Sequence, residues 1–150
     1  MKNIFNPNDA SELISRINNL TPTSPPLWGK MNVGKMLAHC NVTYEMTYDT
    51  IHPNPNAFVK FMLKLFVKNG VVTEKPYAKN GQTAGAFIIK GEKDFELERE
   101  RLIDFINKTQ QLGEKHFDQK ESHSFGALSI SEWNCMFYKH LDHHLSQFGV

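Results

Sequence analysis

The chain has 150 residues, the length of one domain, and can bury a hydrophobic core without disulfides or a structural metal. Its 17 Lys and Arg against 16 Asp and Glu leave a formal net charge of +1, which argues against the clustered basic surface of a nucleic-acid partner. No apolar run reaches the roughly 18 residues of a membrane span, and MKNIFNPNDASEL lacks the apolar stretch of a secretory signal, so a cytoplasmic protein of one domain over 1–150 is expected.

A first helix is expected from Asn8 or Asp9, both good caps just after Pro7, with Leu13, Ile14, Ile17 and Leu20 at helical spacing. Pro22, Pro25 and Pro26 stop it. A second helix runs from about Asn32 to about Tyr48, with Val33, Met36, Leu37, Cys40, Tyr44 and Tyr48 as its apolar face, and IHPNPN ends it. In FVKFMLKLFVK, residues 58–68, Lys60, Lys64 and Lys68 form one narrow stripe and nearly everything else is apolar. A mostly buried short helix is the favoured reading. A subunit interface of a homodimer, or a membrane-surface helix, is the sharper one.

Residues 69–93, rich in Gly and Lys, read as a long connector with at most one extended stretch at Phe87-Ile88-Ile89, and such connectors are often lids. A further helix is expected from Asp94 to Leu112, with Phe95, Leu102, Phe105, Ile106 and Leu112 on its buried side and Gly113 just past its end. A polar loop carrying His116 and His123 follows. The last helix opens with the capping box Ser129–Glu132 and continues to Phe148. Four principal amphipathic helices with one extra short helix argue for an all-α antiparallel four-helix bundle.

The chemistry concentrates in YKHLDHHLSQFG, residues 138–149. His140 and His144, four apart, stack on one helical face, close enough to share an ion. At about 100° per residue, Trp133, Met136 and Phe137 fall on the same face and His143 at its edge. Two core-facing imidazoles need partners for both ring nitrogens. A shared metal and a pair of ordinary hydrogen-bonded core histidines account for the spacing equally well. A catalytic ion needs a third ligand, for which His39 is the best candidate although it lies on the flank of its helix. His52, His116 and His123 read as solvated surface residues, and Cys40 and Cys135 as reduced, buried thiols without a CxxC pair.

The stretches LWGKMNVGKMLAHC, KPYAKNGQTA and FGALSISEWNCMFYKHLDHHLSQFG, spanning about residues 26–149, resemble the DinB-like, or YfiT-type, superfamily. They resemble most closely one bacterial branch labelled a domain of unknown function. The resemblance implies a four-helix bundle with one histidine ligand from the second helix and two from an H-x-x-x-H on the last. Residue by residue these are His39, His140 and His144.

The resemblance also implies a metalloenzyme, with thiol-dependent transfer to a small electrophile as the leading chemistry and a low-molecular-weight thiol as partner. Metal-assisted hydrolysis is the runner-up, and a non-catalytic metal or small-ligand binder or a helical dimer with structural histidines are the other readings. Imidazole nitrogens suit zinc or nickel first, with iron a further option. His143, Phe125, Trp133 and Gln147 are candidates for the surrounding pocket, with core packing the favoured reading for Trp133 and Phe125. Asp142 and Glu45 qualify as general bases by chemical type alone and read as surface charges.

Overall fold

Five helices open on a side-chain cap that the local sequence supplies. The computed structural model describes residues 1–150. α1 is Pro7–Asn18, and the Asn6 side chain accepts from the backbone N–H groups of Asn8 and Asp9. The helix starts earlier than expected because Pro7 fits its first turn, where no backbone N–H is needed. α2 is Val33–Tyr48, capped by Asn32; α3 is Ala57–Phe66, capped by Asn56. The short α4, Lys68–Val72, follows at once. α5 is Phe95–Phe117, capped by Asp94. α6 is Ile130–Asn134, and Ser129 with Glu132 forms the expected capping box.

Helical backbone continues from α6 through a π-helical segment, Cys135–Lys139, into α7, His140–Gln147. The wider turn shifts the helical register between α6 and α7. The regular 100° spacing assumed across Trp133, Met136, Phe137 and His140 therefore does not hold there.

α2 packs against α5, α5 against α1, α1 against α7 and α7 against α2. A contiguous core of buried residues from these helices fills the middle, including Leu13, Ile17, Met36, Leu102, Ile106 and Leu145. α2 is buried on all sides over Met36–Glu45, with His39 among the buried residues. Its helical wheel consequently has no solvent flank on which His39 could sit.

Several expectations need correction. The fold is mostly helical but not purely α: Lys120–Ser122 (β1) pairs antiparallel with Gly126–Leu128 (β2) where a polar loop was expected. The left-handed Gly126, at φ 79°, and the Ser122 hydroxyl donating to the Gly126 carbonyl close this hairpin. Gly113, with φ 68° and ψ 174°, breaks α5 as a helix-terminating glycine would, but one more turn carries Phe117 into the core. Leu112, expected inside, is exposed.

α3 departs most. It has no buried residue, and Phe58 and Phe66 are 71% and 70% exposed. The favoured reading of a buried helix is overturned because α3 finds no place in the ring of packed helices; only partly buried Leu63 reaches the core from it. No helix is long and apolar enough to cross a membrane. The connector is also more ordered than expected: α4 takes its first residues, and Gly85–Phe87 forms a 3-10 turn that claims Phe87 from the expected extended stretch, with Ile88 extended after it.

These placements make opposite predictions for two large apolar side chains. Leu102→Ala, at a site with no exposure, should destabilise the protein by about 2–5 kcal/mol in urea unfolding. Phe61→Ser, at 60% exposure, should change stability by less than about 0.5 kcal/mol. A large loss at Phe61 would mean that α3 is covered.

Candidate metal centre

Three imidazoles from two helices meet beside a cavity. α2 contributes His39, and α7 contributes His140 and His144 one turn apart. One ring nitrogen of each lies within 4.8 Å of the others. Nε2 of His39 and Nε2 of His140 are 3.0 Å apart, and the His39 and His144 rings stand edge to face at 4.5 Å between centroids. His143, the neighbour that the same helix offers, is outside this cluster.

The outer nitrogens explain how the rings are held. His39 Nδ1 lies 2.9 Å from the Phe87 carbonyl oxygen, which can only accept, so Nδ1 carries the proton and Nε2 a lone pair. His144 Nδ1 lies 2.8 Å from Gln147 Oε1. The Gln147 amide nitrogen donates to the Trp28 carbonyl at 2.8 Å, which fixes its orientation, so His144 Nδ1–H donates to Oε1. His144 Nε2 is therefore also a lone pair.

His140 Nδ1 is 3.0 Å from the Thr43 hydroxyl, which can accept from Nδ1–H or donate to a bare Nδ1. At neutral charge, then, three converging Nε2 atoms share at most one proton. A cation would satisfy all three; an outward Nδ1 hydrogen bond is also how metal-bound histidines are oriented.

Burial reinforces the neutral state. Desolvation lowers the pKa of His39, and lowers His140 well below the usual imidazole value with help from the neighbouring rings of His144 and His39. Desolvation and the His39 ring bring His144 down to about 3 against the opposing hydrogen bond from Gln147. All three are thus unprotonated, as ligation requires.

The cavity beside them holds about 510 Å³. Tyr77, Phe87, Phe125 and Trp133 form aromatic walls, and Leu63, Val67 and Val71 close it from α3 and α4. The connector lies on the cluster: the Phe87 ring meets His140 edge-on at 5.9 Å, and Tyr77 meets His140 and His143 edge-on at 6.3 and 5.5 Å. Lys139, buried at 6% exposure, fastens the chain before Tyr77 by donating to the carbonyls of Gly70, Thr73 and Lys75. Its ammonium lies 4.4 Å from the Tyr77 ring centroid.

Of the residues expected around the pocket, His143, Phe125 and Trp133 line the cavity, whereas Gln147 stands behind His144. Two residues expected on the surface are withdrawn from it to different degrees, His123 half-buried and Glu45 buried. His123 lines the cavity from the hairpin tip, its Nε2–H donating to the Pro53 carbonyl and its Nδ1 bonded to Ser124. Glu45 is buried at 7% exposure and accepts from Arg101 and His52, away from the cavity. His123 is placed by the hairpin and Glu45 by the packing of α5 against α2, and neither contact is announced by a local pattern.

Asp142 pairs with Arg16 of α1, also away from the cavity. His116 is exposed and bonded to Lys120. Cys40 and Cys135 are buried, unpaired thiols, and burial raises the Cys40 pKa. Thr43, Tyr77 and the carbonyls of Phe87 and Trp28 were not legible as site residues. Thr43 left a signal in its spacing, four residues after His39 on the same helix, and Trp28 and Tyr77 lie in stretches that carried the resemblance without an assigned role.

The neutral histidines make stability depend on pH. The unfolded chain takes up protons at these positions from about pH 6.5 downward, whereas the folded site resists until near pH 3 at His144. Their contribution is fully present above that range and lost as pH falls through it. In chelator, the urea midpoint should therefore fall between about pH 7.5 and about pH 5. An unchanged midpoint would contradict the buried neutral state.

The profile of one protein family, described as Protein of unknown function (DUF1569), matches residues 4–149. No curated protein and no solved structure matches the chain.

Proposed function

We propose, for a chain that belongs to this family of proteins of unknown function, that His39, His140 and His144 hold one divalent metal ion and present it to a small molecule in the adjoining cavity. The observation that carries this reading is the direction of the rings: at least two Nε2 lone pairs, and no more than one proton, at the meeting point of three imidazoles. Zinc and nickel suit an all-imidazole donor set, and iron is tolerated by it. We read the ring of α1, α2, α5 and α7 as an antiparallel four-helix bundle of the DinB-like kind, and residues 1–150 as one domain.

Three protein ligands on a cavity-facing ion leave room for a further donor, the arrangement of catalytic rather than structural sites. The ion would supply Lewis acidity, which lowers the pKa of a thiol or water bound to it. The remaining work belongs to the chain. Tyr77 and Phe87 cover the site and exclude water. His143, a further imidazole on the lining, is the candidate to take the proton of an incoming nucleophile, since both ring nitrogens of His123 already have partners.

Our leading chemistry is transfer of a small thiol. The thiol gives up its proton to a cavity imidazole and its sulfur bonds to an electrophilic carbon. The leaving group departs with the bonding electron pair and receives that proton. A binding protein without turnover needs the same cavity, and a conjugation assay with and without metal separates the two.

The ligand set makes a direct prediction. In metal titrations, His39→Ala, His140→Ala and His144→Ala should each lose high-affinity binding, whereas His143→Ala should retain it. Gln147→Leu keeps every ligand but removes the acceptor behind His144, and should weaken binding by about 10–100-fold. Equal affinity in the His140→Ala and His143→Ala proteins would remove the centre as drawn.

A further inference from the structure

The cavity wall narrows what this centre takes. No Asp, Glu, Lys or Arg lines it. The charges that reach the histidines from beyond the wall are engaged elsewhere, the Asp142 carboxylate with Arg16 and two ammonium groups as follows. Lys139 spends its protons on three backbone carbonyls, and Lys79 lies 4.2 Å from the centroid of the Trp28 ring. The carboxylate of Glu45 is turned to Arg101 and His52. What the wall does offer is aromatic and aliphatic surface, with neutral hydrogen-bonding groups such as Gln82, Thr83 and Ser124.

An ionised carboxylate or phosphate carried on the ligand's body would leave water there and meet no cation, which is strongly unfavourable. The meeting point of the histidines is the opposite case. Three neutral imidazoles add no negative charge to a divalent ion, and the cavity adds none either. A single anionic donor atom is favoured at that point and nowhere else in the cavity.

We propose that the site binds small molecules with one anionic metal-binding head on an uncharged, largely aromatic or aliphatic body. This deepens the metal-centre reading above and rests on it for the head group; the body preference rests on the walls alone. The volume suits one small molecule, within the range of about 300–1,000 Å³ typical of such sites. Thiols bearing several carboxylates, glutathione among them, are poor matches, and an uncharged arylalkyl thiol is a good one.

The test compares phenylmethanethiol, its para-carboxylate and glutathione, with dissociation constants measured by ligand-observed NMR on the metal-free and the zinc-loaded protein. Phenylmethanethiol should bind at least about tenfold more tightly than its para-carboxylate in both states, because the penalty lies in the walls. Zinc should tighten phenylmethanethiol further, and glutathione should be the weakest of the three. Met46→Lys, which places an ammonium of similar length on the cavity wall, should narrow the gap between the two arylalkyl thiols.

Equal or tighter binding of the para-carboxylate or glutathione by the natural protein, or no binding of any of the three in either state, overturns the proposal. So does a gap that Met46→Lys leaves unchanged. Failure of the metal centre is read separately, as equal zinc affinity in the natural protein and His140→Ala. In that event the preference between the two arylalkyl thiols still tests the walls in the metal-free protein.

Discussion

Three imidazoles turn the same nitrogen toward one point, and a different part of the chain stands behind each ring to keep it there. The Phe87 carbonyl, in the connector between α4 and α5, holds His39. Thr43, one turn along α2, holds His140. Gln147 holds His144 and is itself held by the Trp28 carbonyl, in the segment between α1 and α2. A ring that lost its outer partner would be free to rotate its lone pair away from the point of convergence. Gly29 shows how closely this scaffold is built: it sits at φ 83°, and a Cβ there would lie 2.5 Å from the Gln147 amide nitrogen.

α2 separates two kinds of polar chemistry. On one side, Asn41 donates to Glu98, and Arg101 bridges Glu98 and Glu45, with His52 closing the group. These charges are paired with one another against α5, as burial requires. On the other side His39 and Thr43 meet α7 and the cavity. The carboxylates nearest in sequence to the histidines are thus consumed in ion pairs, Glu45 with Arg101 and Asp142 with Arg16. The centre is left with neutral imidazoles and a cavity wall without charged side chains, which would leave a divalent ion held there its full charge.

The approach to the centre is set by two long side chains doing unlike work. Lys139 lies in the π-helical segment just before His140 and donates its three protons to backbone carbonyls within and beyond α4. A buried ammonium without a carboxylate partner is tolerable because those carbonyl dipoles and the face of Tyr77 replace its water. Tyr77 in turn lies against His140 and His143. The connector is therefore moored to the same helix that supplies two of the three imidazoles, and it lies over the cavity.

What could be read from the sequence was local. Caps such as Asn32, Asp94 and the Ser129–Glu132 box act over three or four residues, and the i, i+4 spacing of His140 and His144 puts both rings on one face whatever surrounds them. What tertiary structure decided was everything that depends on which surface meets which. An apolar pattern cannot say that α3 is left outside while α2 is enclosed on all sides, because both are rich in apolar residues and only packing assigns them a neighbour. Spacing cannot anticipate the π-helical register before His140, nor a hairpin that brings His123 to the cavity. The convergence itself joins His39 to His140 across 101 residues and to the Phe87 carbonyl across 48. Contacts at that separation are set by how whole helices lie against one another, so residue spacing carries the ingredients of the site but not their meeting.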